Sequence, residues 1–123
     1  CLGLNDAAFL PSQLELVSQA VDHDLSFLAA RLRGVPVIVA PYFPALGVGP
    51  RFGVVRHLVH ERATELGLVS TDIMSTAIDG DEGKLSVDGI HPDDAGHAAI
   101  ARTMIGYYEE YVPAVCRRRS APA

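Results

Sequence analysis

An α/β layered fold built on a parallel sheet is what this sequence predicts, and three observations predict it. Amphipathic helical stretches alternate with short apolar runs along the chain. One of those runs, VPVIVA at residues 35–40, is rich in β-branched side chains and apolar throughout, the pattern of a strand covered on both faces. A helix-length segment separates it from the next such run, as right-handed crossovers between parallel strands require.

Each element has its own local reason. The opening Cys-Leu-Gly-Leu-Asn-Asp reads as the last residues of a strand entering a loop, so the chain is expected to be the later part of a longer domain. Pro11 suits a first helical turn, where its missing N–H costs nothing. Beyond it Leu14, Val17, Val21, Leu25, Leu28 and Leu32 recur every three or four residues and form one apolar stripe, with Gly34 as the stop. After the strand at 35–40, PYFPALGVGP must be loop. Residues 51–66 are expected to form a second helix, with Phe52, Val55, Val59, Ala63 and Leu66 on its inner side and Gly67 ending it. Residues 68–73 read as a second strand, and residues 74–87 as irregular and acidic. The last helix is expected at 94–111, capped by Asp93 or Asp94, with Ile100, Met104, Ile105 and Tyr108 on its apolar face. Residues 113–123, with Arg117 to Arg119, read as a frayed tail.

Composition narrows the function. The chain has 123 residues, 49% of them apolar, which is enough for the core of one small domain. Its net charge of −5 offers no basic surface to nucleic acid. No apolar run approaches the roughly 20 residues that span a bilayer. Cys1 and Cys116 lack metal-ligand spacing and make a weak case for a disulfide. No signal peptide is visible.

The chemistry concentrates in VDGIHPDDAGHAAIA, residues 87–101. A neutral imidazole removes a proton only in the right tautomer and orientation, and a carboxylate on its other ring nitrogen supplies both. Gly89 permits a tight turn that folds Asp88 back toward His91, and Pro92 stiffens the exit into the helix. Asp88 could equally be a turn residue and His91 a surface histidine. In GLND, residues 3–6, the Asn5 amide could donate to a developing oxyanion, or Asn5 could simply form an Asx turn.

Together these motifs carry a resemblance. GLND, then two αβ units, then DGIHP opening a terminal helix, resembles the SGNH hydrolase superfamily, the GDSL esterases and lipases. Gly3, Asn5 and Asp6 match its G-x-N-D block, and Asp88, His91 and Pro92 match its D-x-x-H-P block. The resemblance covers residues 3–112 and implies a flavodoxin-like three-layer α/β/α fold of which 1–112 is a part. It implies hydrolysis of a small-molecule ester or thioester through an acyl-serine intermediate, without a cofactor. It places His91 as base, Asp88 as its orienting partner and Asn5 in the oxyanion hole. None of the seven serines follows Gly-Asp, so the nucleophile is expected upstream and the chain alone is expected not to turn over an ester.

Other readings stay open. An SGNH-like module without activity, serving binding or structure, is one. A metal-dependent hydrolase is another, although DGDEG lacks calcium-loop spacing and no H-E-x-x-H accompanies His57 and His60. His57, His60 and His97 are expected on exposed helix faces. Tyr42, Phe43, Pro44 and Leu46 either line an acyl or aryl pocket or anchor a packed loop. Missing upstream strands would leave an unpaired sheet edge, through which the chain is expected to self-associate.

Overall fold

Helices make up most of this mixed α/β chain, and a two-stranded parallel sheet joins them. The computed structural model describes residues 5–47 and 49–120, the side chains of 6 and 114–120 excepted. Cys1 and Gly3, with the strand expected to end there, lie outside the described residues, and so does the side chain of Cys116.

A 3-10 turn at Asp6–Phe9 leads into helix α1, Leu14–Arg31. The helix starts after Pro11 rather than at it, because Pro11 belongs to the preceding turn. Val17, Val21 and Leu25 of the expected stripe are buried, while Leu14 and Leu32 at its two ends are exposed. Strand β1, Ile38–Val39, pairs with strand β2, Val69–Ser70, through Ile38 opposite Val69 and Val39 opposite Ser70. Both strands are shorter than their apolar runs. Ladder pairing needs a partner, and the two backbones run side by side only between Val37 and Thr71.

Helix α2, Pro50–Glu65, lies between the strands, with Pro50 in its first turn. Val55, Val59 and Ala63 are fully buried, and Phe52 and Leu66 pack beside them as expected. α1 and α2 pack on each other and on Val39 and Phe43 to form the main core.

Residues 74–87 are not all irregular. Helix α3, Ile73–Ile78, follows β2 at once, and a 3-10 turn occupies Glu82–Lys84. α3 is one and a half turns long, too short to show a helical period. It persists because Ser75 and Ile78 are buried and the Ser75 hydroxyl accepts from Phe43 N–H (2.9 Å) and donates to Pro41 C=O (3.2 Å).

Helix α4, Asp94–Ser120, runs past the expected end near Tyr111 and carries Pro113 within it, so 113–120 continues the helix. Its inner face also differs from the expected one. Ile100 is buried, but Met104, Ile105 and Tyr108 are exposed. The stripe that turns inward runs through Gly96, Ile100, Thr103, Tyr107 and Tyr111. Gly96 sets that rotation. A Cβ there would collide with the Lys84 carbonyl oxygen and sit 2.9 Å from Pro92 Cβ, so only glycine lets the first turn approach this closely. Ile100 then meets Ile78 and Tyr42 in a second, smaller core with Met74, Ala77 and Leu85. Among the described residues, no helix is long and apolar enough to cross a membrane.

Candidate active site

The turn between the 3-10 segment and α4 is closed by backbone pairing. Leu85 and Pro92 form an antiparallel bridge, and Ser86 N–H donates to His91 C=O at 2.8 Å. Inside that closure Gly89 N–H donates to Ser86 C=O (2.9 Å), with Gly89 at φ +67°, a conformation glycine adopts without strain. Asp93 accepts from Gly96 N–H at 2.8 Å and caps α4.

This closure forces Asp88 onto His91. One Asp88 oxygen, Oδ1, accepts from the backbone N–H groups of Ile90 (2.9 Å) and His91 (3.0 Å). The other, Oδ2, accepts from His91 Nδ1 at 2.6 Å. An ionised carboxylate only accepts, so the ring proton sits on Nδ1 and Nε2 is left with a lone pair. The His91 ring and the two N–H donors, in that order, hold the Asp88 carboxyl down at about 2. The base and its orienting partner expected from the sequence are therefore in contact.

From the opposite side, the Tyr42 hydroxyl donates to Ile90 C=O at 2.7 Å and pins the turn to the loop after β1. Burial first, and then the charge of Asp88, raises the Tyr42 pKa above its ordinary value. Tyr42, Phe43 and Pro44 are buried, and none of them, nor Leu46, lines the cleft beside His91. They anchor the loop instead of forming a substrate pocket.

The cleft itself holds about 690 Å³. His91 and Asn5 both line it, although they belong to distant parts of the chain. Asn5 opens the 3-10 turn at Asp6–Phe9, and its side chain makes no capping hydrogen bond there. The Asx turn suggested for Asn5 is thus not its role. Phe9, Phe52, Pro50 and Ile90 supply apolar wall, and Arg51 supplies a cation. Among the described residues, no serine lines this cleft; Ser86, the nearest to the dyad in sequence, turns its hydroxyl toward Pro92 C=O (3.4 Å).

A second histidine was missed by sequence reasoning. His60 is not on an exposed face. Its Nε2 bonds Asp72 Oδ1 at 2.8 Å, and its Nδ1 is in hydrogen-bond contact with the Ser70 hydroxyl. Asp72 Oδ2 in turn accepts from Arg56 Nε (2.9 Å) and from a second Arg56 nitrogen (2.5 Å). Against the opposing effect of burial, Arg56 and His60 lower the Asp72 pKa. No signal in the sequence marks this group, because its members come from α2, β2 and the turn into α3. His57 is exposed beside Glu61, and His97 is exposed, as expected. Among the described residues, no three His, Cys, Asp or Glu side chains converge as metal ligands would.

Compared with protein-family models, with curated proteins and with solved structures, the chain matches none.

Proposed function

We propose that this chain supplies the base and the oxyanion donor of an SGNH-type serine hydrolase, which cleaves an ester or thioester through an acyl-serine intermediate. The observation that supports this reading best is the ordered pair at Asp88 and His91, with His91 and Asn5 lining one cleft. Base and oxyanion donor must both reach one reacting carbonyl, and sequence distance alone would not bring them together.

The chemistry follows from the tautomer. Asp88 holds the Nδ1 proton, so Nε2 takes the proton of the attacking serine hydroxyl. The serine oxygen bonds to the acyl carbon, and the Asn5 amide N–H groups donate to the oxyanion that forms. The imidazolium, stabilised by Asp88, returns its proton to the departing alkoxide or thiolate. Water then enters, again deprotonated by His91, and releases the acid. The serine belongs in this proposal to a segment preceding Cys1, because no serine among the described residues lines the cleft. The same proposal extends the β1–β2 pair into a larger parallel sheet of a three-layer α/β/α fold.

The test is ester hydrolysis by the protein with its preceding segment present, measured with an aryl acetate. Hydrolysis that is lost in His91→Ala supports the proposal. Hydrolysis that is indifferent to His91 would sink it.

A further inference from the structure

Ser70, His60, Asp72 and Arg56 form one continuous hydrogen-bonded chain outside the cleft. Its order is hydroxyl, imidazole, carboxylate, guanidinium. Asp72 can only accept, so the His60 proton lies on Nε2, and Nδ1 accepts from the Ser70 O–H. This is the base–orienter logic of a nucleophilic serine with the two ring nitrogens exchanged. Arg56 fixes the carboxylate that fixes the ring.

We infer that Ser70 is a second activated hydroxyl, able to accept an acyl or phosphonyl group from a small activated ester or fluorophosphonate. Three features of its setting carry the inference beyond the hydrogen bonds. β2 has β1 on one side only, and the sheet holds no further strand among the described residues. Val69 N–H and Thr71 N–H both donate to β1, to Val37 C=O (3.1 Å) and Val39 C=O (3.0 Å). Ser70 lies between them, so strand alternation turns its own N–H to the open edge, where it can donate to an oxyanion formed at its own side chain. And the group is half-buried rather than sealed, with the His60 side chain 27% and the Asp72 side chain 20% exposed.

In the step itself, Ser70 Oγ bonds to the acyl carbon and its proton passes to His60 Nδ1. The carbonyl π pair moves onto oxygen beside the Ser70 N–H. On collapse, the bond to the aryloxide breaks, and that leaving group takes the proton from His60. The products are a Ser70 ester and a phenol. With a fluorophosphonate the phosphorus takes the place of the acyl carbon and fluoride leaves. This inference does not depend on the role proposed for His91.

The experiment is covalent labelling of the 123-residue chain with a small fluorophosphonate, mapped by peptide mass spectrometry. The expected result is one label per chain, on Ser70, formed about 100-fold faster in buffer than in the chain unfolded by urea, the lower end of general-base acceleration. Ser70→Ala should lose the label, and Asp72→Asn should slow labelling while circular dichroism verifies that it is folded. Labelling of Ser70 no faster than in urea, or label on a different residue, would overturn the inference even if both variants failed to fold.

Discussion

Two histidine–aspartate pairs lie in this molecule, and they are built in opposite ways. Asp88 and His91 are three residues apart on one turn, and the bonds that Asp88 accepts to orient the ring are all local. Their side chains are 45% and 67% exposed. His60 and Asp72 are held by packing instead. Helix α2 must lie beside β2 before they can meet, and Arg56 and Ser70 complete the group. The comparison teaches that an exposed pair at a cleft can be oriented by its own turn, while a half-buried one also ties elements together. Stability should therefore respond to the second pair and barely to the first.

Breaking the tie is the largest stability effect we expect. Asp72→Ala removes the acceptor of both Arg56 and His60, and charge-assisted bonds of this kind are worth about 1.5–3 kcal/mol each. With partial exposure discounting that figure, the expected loss is about 2–3 kcal/mol, read as a lower urea midpoint at constant m-value. A midpoint equal to that of the parent chain would remove the contrast.

Beside the first pair, a stability-critical position lies in the first turn of α4 and not in the dyad. Gly96→Ala drives a methyl group against the Lys84 carbonyl, backbone that cannot swing aside. Overpacking of this kind costs about 1–3 kcal/mol. His91→Ala, by contrast, should change stability by no more than about 0.5 kcal/mol, as exposed substitutions do. Urea titration of the two variants in parallel measures the difference directly.

Acid sharpens the contrast further, with a smaller effect. Asp88 is held at about 2 in the folded chain, below its ordinary 3.8. Its contribution to stability is thus fully present above pH 4 and is lost as pH falls through about 2. In His91→Ala the two backbone donors remain, so the Asp88 midpoint should rise only part of the way to its ordinary value. Carboxyl carbon NMR across that range follows it, and a midpoint unchanged by the substitution would show that the ring contributes nothing.

The same contrast explains what could be read without a structure. Asp88 and His91 were legible because a glycine turn confines them to a few residues. The helices α1 and α2 were legible because Val17, Val21 and Leu25, and Val55, Val59 and Ala63, repeat at helical spacing. That Asn5 lines the same cleft as His91 was expected only from the resemblance, since no local rule joins residues so far apart. Ser70, His60 and Asp72 were not legible, because their meeting depends on α2 lying against β2. Helix α3 was hidden by its brevity. The inner face of α4 was misjudged because a backbone approach at Gly96, which hydrophobicity does not record, sets the rotation of the helix.

The proposal at the centre is that His91, oriented by Asp88 and lining one cleft with Asn5, acts as a general base. The most direct measurement is kcat/KM for an aryl acetate in a protein that includes the segment proposed to precede Cys1, with and without His91→Ala. Loss of a general base costs 10²–10⁴-fold, so a fall of about 10³-fold is expected, with the fold intact by circular dichroism. An equal rate in the two proteins would contradict the claim and leave Asp88 and His91 as an ordinary capped turn.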